Sequence, residues 1–316
     1  NGGSEAVATL ARINRTLRGP LPAPSASLSE PAFGRQQGGY NLPTREIFFT
    51  HTSKEQVLTC VGSCAVSSAA KVNPDWQVTV FSNGLTNPKQ KLGTRQQWAG
   101  SFALFPSWSG HNPPRVVRFE YERIFRDTPF ESWYKQKRVW SKRGFTTQNL
   151  SNALRLALLY KFGGAYFDLD IISVKPLPPS IWQRSAGLER EVPGRPDQTR
   201  LNNAVILMEK QAPFLMEAMK DFVRNFKNWE WGYQGPDLMT RVWNRTHLID
   251  AMPVPMFYPI IWGSPTMMSY FNQPEWDGAK EVISEITVGI HLWNRKTSKK
   301  RWHKKSFMTH MMQRVC

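Results

Sequence analysis

The run Phe162-Gly163-Gly164-Ala165-Tyr166-Phe167-Asp168-Leu169-Asp170 constrains this chain more than any other stretch. Upstream, Ser151 to Phe162 is apolar at helical spacing and rich in good helix formers. The double glycine offers the left-handed residue that ends such a helix. Tyr166-Phe167 and Ile171-Ile172-Ser173-Val174 are β-formers, and Pro176, Pro178 and Pro179 stop the strand. This reading predicts a helix, a glycine cap and then an apolar strand that carries two acids one residue apart. Side chains alternate along a strand, so Asp168 and Asp170 share a face and repel one another unless a cation sits between them. Hard oxygen ligands suit magnesium or manganese, which commonly bridge to phosphates. An isolated Asp-X-Asp is usually a pair of solvated loop acids. Here the acids break a strongly apolar pattern, and such breaks tend to be functional. A metal–diphosphate site is the first expectation.

The remainder of the chain supplies an α/β frame for that site. Arg45 to Thr50, Gln77 to Phe81, Val116 to Phe119, Ala204 to Met208 and Val288 to Trp293 read as strands. Helices are expected from Leu58 to Ala70 and from Pro213 to Phe226. Strands alternating with helices predict a mostly parallel sheet with helices on both faces, and ligands at the carboxyl ends of the strands. Residues 1–43 differ: Pro20, Pro22, Pro24 and Pro31 alternate with Ser and Ala, and Gly34, Gly38 and Gly39 follow. That composition suits a stem or linker rather than a core, which leaves 44–316 as a single catalytic domain.

The 316 residues carry a formal net charge of +17. Nucleic acid, an anionic membrane surface or an anionic substrate each accounts for such a balance. The densest basic cluster runs from Arg295-Lys296 through Lys299-Lys300-Arg301 to Lys304-Lys305. No zinc-finger spacing, aromatic RNA-binding motif or clear helix-turn-helix accompanies it, so nucleic acid is not expected as a partner. The chain has no apolar stretch of about 18 residues that would span a bilayer, and it starts at Asn1 without a signal peptide, as expected of a mature or truncated form. Cys60, Cys64 and Cys316 are odd in number and leave at least one free or intermolecular thiol; their pairing stays open. Glycosylation sequons stand at Asn14, Asn149 and Asn244.

The pattern Ser151-Asn152-X-X-Arg155 followed by Phe162-Gly163-Gly164-X-Tyr166-X-Asp168-X-Asp170 resembles the DXD-containing glycosyltransferases of the GT-A fold, nearest to the eukaryotic α1,4-galactosyl- and α1,4-N-acetylglucosaminyltransferases. Five further segments run in the family's order: Ile47-Phe48-Phe49-X-X-Thr52-Ser53, Phe125 to Pro129, Trp231-Gly232-X-Gln234-Gly235-Pro236, Phe257 to Ile260, and His291-X-Trp293-Asn294. The resemblance covers roughly residues 45 to 300. It implies a Rossmann-like, mostly parallel central sheet flanked by helices. It also implies a retaining, metal-dependent hexosyltransferase that moves galactose from UDP-galactose in α1,4 linkage to a terminal galactose of a glycosphingolipid such as lactosylceramide. N-acetylgalactosamine or N-acetylglucosamine as the donor sugar, and a catalytically silent sugar- or polyanion-binding protein of the same fold, are the alternatives. The family's habitat is the Golgi membrane, with a lumenal catalytic domain anchored by a segment upstream of residue 1.

Carried onto this chain, the resemblance assigns Asp170, Asp168 and His291 to Mn2+ (or Mg2+), with Asp170 as the direct ligand. Asp168, Asp170 and Arg155 form the catalytic set, the arginine gripping donor sugar or phosphate through its guanidinium fork. Phe49, Thr50, Asn152, Asn202, Asn203, Trp293 and Lys296 complete the donor site, and Trp231, Gln234 and Asp237 face the acceptor. Lys and Arg beside His291 would stabilise the leaving UDP as its charge develops. Relatives carry Asp where this chain has Asn152, which keeps one acceptor, adds a donor and loses a charge, so the sugar is less defined than the metal. Trp229, Trp231 and Tyr233 alternate, and aromatics at such spacing are more often core than sugar platform. Asn149, just upstream of the donor helix, would crowd the site if glycosylated. No acid marks itself by spacing as a nucleophile, so same-face substitution is expected rather than a covalent intermediate.

Overall fold

A computed structural model of the chain describes residues 45–53, 55, 57–84, 113–141, 144–178, 184–191, 198–274 and 282–316. The expected stem (1–43) and the sequon at Asn14 lie outside them. Nine strands occur among the described residues: β1 (Glu46–His51), β2 (Gln77–Ser82), β3 (Arg115–Arg118), β4 (Gly164–Phe167), β5 (Ile171–Ser173), β6 (Arg184–Arg190), β7 (Arg200–Met208), β8 (Asp250–Met252) and β9 (Gly289–His291). Seven of them build one sheet in the order β3-β2-β1-β4-β7-β6-β8, and β5 pairs with β9 beside it. The pairs β3–β2, β2–β1, β1–β4 and β6–β8 are parallel, whereas β4–β7 and β7–β6 are antiparallel. The sheet is therefore mostly parallel, as expected of the GT-A type, with an antiparallel turnover where β7 enters.

Five helices of nine or more residues are described: α1 (Cys60–Val72), α2 (Thr146–Phe162), α3 (Pro213–Arg224), α4 (Pro236–Thr246) and α5 (Phe307–Val315). β1 is buried along its whole length, so both of its faces need cover. Ile47 and Phe49 point into a core with Cys64, Ala65 and Ala69 of α1, while Phe48 turns the other way and meets Phe162 of α2, ring centroids 6.3 Å apart. This alternation puts helices on both faces of the sheet. The Thr59 side chain caps α1 by accepting from the Gly62 N–H at 3.0 Å. Cys64 is bonded to Cys316, which ties α1 to the end of α5, and Cys60 is free. No helix among the described residues is long and apolar enough to cross a membrane.

The double glycine behaves differently from expectation. Gly163 has φ +70° and ψ −176°, outside the left-handed helical region, and Gly164 at φ +107° already belongs to β4. A Cβ on Gly164 would stand 2.5 Å from the Glu46 carbonyl oxygen of β1. These glycines let α2 turn directly into a strand that lies tight against β1.

Candidate active site

The predicted continuous strand through the acid pair does not form. β4 ends at Phe167, the Ile171 N–H closes a turn on the Asp168 carbonyl at 3.0 Å, and β5 starts only at Ile171. The Asp168 N–H still donates to the Ala204 carbonyl at 2.8 Å, in register with the β4–β7 ladder, and the chain turns away only after that bond. The acids share a site because of this turn and not because of strand alternation. β5 then pairs antiparallel with β9, Ile171 opposite His291, which brings the imidazole beside Asp170. Ligand atoms of Asp168, Asp170 and His291 all lie within 4.8 Å of one another.

Each member of this cluster is held by its own partners. Asp168 Oδ1 accepts from the Tyr166 hydroxyl at 2.6 Å and from Arg155 at 3.0 Å. Tyr166 is in turn 3.0 Å from the Thr50 hydroxyl, which lies 3.2 Å from Ser151. Asp170 accepts from the Asn294 N–H at 2.8 Å, and its other oxygen is 3.2 Å from His291 Nε2. Burial pushes the Asp170 carboxyl up, but the His291 imidazole, the Asn294 N–H and Arg155 together outweigh it and hold the acid below its usual range. Burial likewise lowers His291, and Asp170 beside it more than compensates, so the imidazole binds its proton more tightly than usual. Burial raises the Tyr166 hydroxyl, which stays a donor to Asp168.

The cluster opens into a cavity of about 560 Å³ at the carboxyl ends of β1 and β4. Arg155, Asn152, Asn202, Asn203, Trp231, Trp293 and Lys296 line it along with the acids and His291. Among these, Arg155 is almost wholly buried, and its guanidinium contacts Asp168, the Asn203 carbonyl at 2.6 Å, the Ser151 hydroxyl and the face of the Tyr166 ring. Its most evident task is to position Asp168 and β7. Asn203 donates to Asn152 at 2.8 Å, so the two carboxamides form one unit in the wall. Trp293 adopts φ +54° and sends its indole N–H to the Ile260 carbonyl at 2.6 Å.

Four sequence expectations land elsewhere. Phe49 is fully buried in the sheet core, because its face of β1 looks at α1 and away from the cavity. Thr50 does not line the cavity and acts through Tyr166. Gln234 is also fully buried, its amide donating to the Phe222 and Asn225 carbonyls, so it ties a turn to the end of α3 and does not face an acceptor. Asp237 pairs with Arg200 at 2.7 Å and is not in the cavity wall. The sequon asparagine Asn149 is buried and donates to Asn228 Oδ1 at 3.0 Å, which removes the expected crowding by a glycan there. Asn244 is exposed on α4.

Several cavity residues escaped the sequence reading. Glu189 and Arg200 pair at 2.9 Å within the wall, and Glu189 also accepts from Asn202 at 2.7 Å. Glu189 sits in the run Leu188-Glu189-Arg190-Glu191, which looks like a solvated stretch until β6 is seen to pair with β7. At the mouth, the Arg295 guanidinium lies 3.5 Å over the Trp231 ring and 5.8 Å from Phe145, and the Lys296 ammonium lies 5.4 Å from Trp262. Arg295 lay in the basic cluster, but its aromatic partners are distant in sequence.

The donor set of the floor fits a divalent cation. Two carboxylates and an imidazole converge there, and His291 Nδ1 is buried without a hydrogen-bond partner among the described residues.

Comparison with known proteins agrees with this geometry. Residues 61–187 match the glycosyltransferase sugar-binding region containing the DXD motif, and residues 207–316 match the alpha 1,4-glycosyltransferase conserved region. The chain is 31% identical to lactosylceramide 4-alpha-galactosyltransferase of Mus musculus over 269 residues, 79% of this chain and 68% of that protein. It is 29% identical to alpha-1,4-N-acetylglucosaminyltransferase of Homo sapiens over 281 residues, 86% of this chain and 78% of the relative. Among solved structures, the galactosyltransferase LgtC in complex with donor and acceptor sugar analogs is 14% identical at a TM-score of 0.47, covering 85% of this chain and 94% of that one, too distant to argue from. The extent and identity of the curated matches, joined to a Phe-Gly-Gly-X-Tyr-X-Asp-X-Asp turn that meets its histidine, lead to one conclusion: the chain belongs to the α1,4-glycosyltransferase family and is a hexosyltransferase.

Proposed function

We propose that this enzyme transfers galactose from UDP-galactose, with retention of configuration, in α1,4 linkage to a terminal galactose of a glycosphingolipid such as lactosylceramide. The observation that carries the reading is the convergence of Asp168, Asp170 and His291 on the floor of a cavity whose mouth holds Arg295 and Lys296. The metal is Mn2+, with Mg2+ as the substitute. Held by Asp170, Asp168 and His291, it would supply the charge that a nucleoside diphosphate needs in order to bind and leave.

The chain's own residues account for the other requirements. Arg155 and Tyr166 fix the rotamer of Asp168, which positions its second oxygen for the cation. Asn152 and Asn203 offer the sugar one amide donor group and one carbonyl oxygen beyond their mutual bond. Arg295 and Lys296 stand where the charge of departing UDP can be met. Both oxygens of Glu189 are already bonded, to Arg200 and Asn202. That pairing supports same-face substitution, in which the leaving phosphate takes the acceptor proton, over attack by this carboxylate. Trp231 flanks the acceptor side of the cavity. The setting is the Golgi lumen, with the domain held at the membrane by a segment upstream of residue 1.

N-acetylglucosamine is the second donor reading. It is favoured by the comparable match to the human N-acetylglucosaminyltransferase. A UDP-sugar panel read by UDP release, with and without manganese, tests both. Turnover of UDP-galactose with a galactose-terminated acceptor supports the first reading. Turnover of UDP-N-acetylglucosamine alone replaces it with the second, and absence of any manganese-dependent UDP release overturns both.

A further inference from the structure

Beyond the cavity floor, the mouth carries a pattern that donor binding does not explain. Its rim alternates aromatic and cationic groups: Trp231 under Arg295 at 3.5 Å, and Lys296 near Trp262 at 5.4 Å. Close in the chain to each rim tryptophan comes a large apolar residue that is exposed to solvent. Trp229, two residues before Trp231, is 72% exposed, and Ile261, adjacent to Trp262, is 42% exposed. Neither lines the cavity. From Ile286 to Cys316 the chain has eight Lys or Arg and no Asp or Glu. Lys299, Lys300, Arg301 and Lys304 are exposed and pair with no acid among the described residues.

We infer that this rim is a docking surface for an anionic lipid bilayer, seating the cavity mouth on the headgroup layer. Charge complementarity accounts for the cations: an anionic leaflet attracts basic residues within a Debye length of its surface. The apolar pair distinguishes a bilayer from a soluble polyanion. Trp is at home at the lipid–water boundary, and Ile gains only where it leaves water for acyl chains. A nucleic acid or sulfated glycan would use the cations and leave Ile261 in water. The inference does not depend on which sugar is transferred. It requires only that the substrate reaching the cavity be presented from a membrane plane.

The test is co-sedimentation of the full chain with vesicles of phosphatidylcholine alone and of phosphatidylcholine carrying a minority of phosphatidylserine. Binding is expected to the anionic vesicles and to weaken steeply with salt. Lys299→Gln with Lys300→Gln should cost about tenfold or more in vesicle affinity. Trp229→Ala with Ile261→Ser should cost about tenfold and leave affinity for immobilised heparin as it was. Turnover of a short soluble acceptor should be unchanged in both pairs, so failure of docking stays distinct from failure of the enzymatic reading. Equal binding to neutral and anionic vesicles overturns the inference. So does an apolar pair variant that binds vesicles as the parent does, which would make the cluster a plain polyanion site.

Discussion

The floor and the rim of the cavity both gather charge, but they hold it in opposite ways. On the floor, Arg155, Asp170 and His291 are buried and Asp168 is partly exposed, and each has a fixed partner within about 3 Å. On the rim, Arg295 and Lys296 are exposed and rest on aromatic faces instead of carboxylates. A buried charge stripped of its partner is costly, whereas an exposed cation on an indole ring is held by about 1 kcal/mol. The floor is thus preorganised for one ion in one place, and the rim is free to follow whatever enters.

The largest effect is expected at the floor. Asp170→Asn keeps the size of the side chain but removes the charge that faces His291, and should lower kcat/KM by about a thousandfold or more in a UDP-release assay. A loss below tenfold would mean that the cluster is not the ion's seat. Arg155→Ala takes the cation away from Asp168 and the Asn203 carbonyl; it should destabilise the fold by about 3 kcal/mol in urea unfolding and reduce turnover as well. Tyr166→Phe is milder: losing one hydroxyl bond to Asp168 should cost about 1–2 kcal/mol and a visible fraction of the rate. At the rim, Trp231→Ala should raise the KM for acceptor about tenfold and change stability by less than about 1 kcal/mol. If the rim variant unfolds the protein and the floor variant does not, the contrast drawn above is wrong.

Glu46 provides a control, a buried acid in the same sheet but at the amino end of β1, away from the cavity. Burial pushes its carboxyl up from 4.5 to about 7, against the opposing pull of Thr79 and Arg115. A folded state that holds this proton more tightly than the unfolded chain has its stability contribution intact below pH 4.5 and loses it as pH rises through about 7. Glu46→Gln should therefore flatten the fall in stability across that window, measured by thermal melting at several pH values, without altering metal dependence. A change in metal dependence would show that the sheet couples its two ends.

Much of this was legible in the sequence because it is written in local chemistry. The apolar periodicity of Ser151 to Phe162, the double glycine and the β-formers around Tyr166 locate α2 and β4 within a few residues. What failed was the reach of alternation: Asp168 and Asp170 fit a strand pattern, but the Ile171 N–H closes on the Asp168 carbonyl and turns the chain. Gln234 and Phe49 were misread for a related reason, since a motif says which residues recur and not which face of the backbone they occupy. Glu189 was invisible because its burial comes with the pairing of β6 on β7, where Arg200 and Asn202 hold it, contacts that its own neighbours in the chain do not announce. Arg295 was visible as charge, while its seat on Trp231 needed the fold.

The central claim is that Asp168, Asp170 and His291 form a cation site that serves a nucleoside diphosphate. Titration of UDP into metal-free protein, then into protein with excess manganese, tests it most directly. The account predicts weak or no UDP binding without the metal, tight binding with it, and loss of that difference in Asp170→Asn. Equal UDP affinity with and without manganese in the parent protein would contradict it.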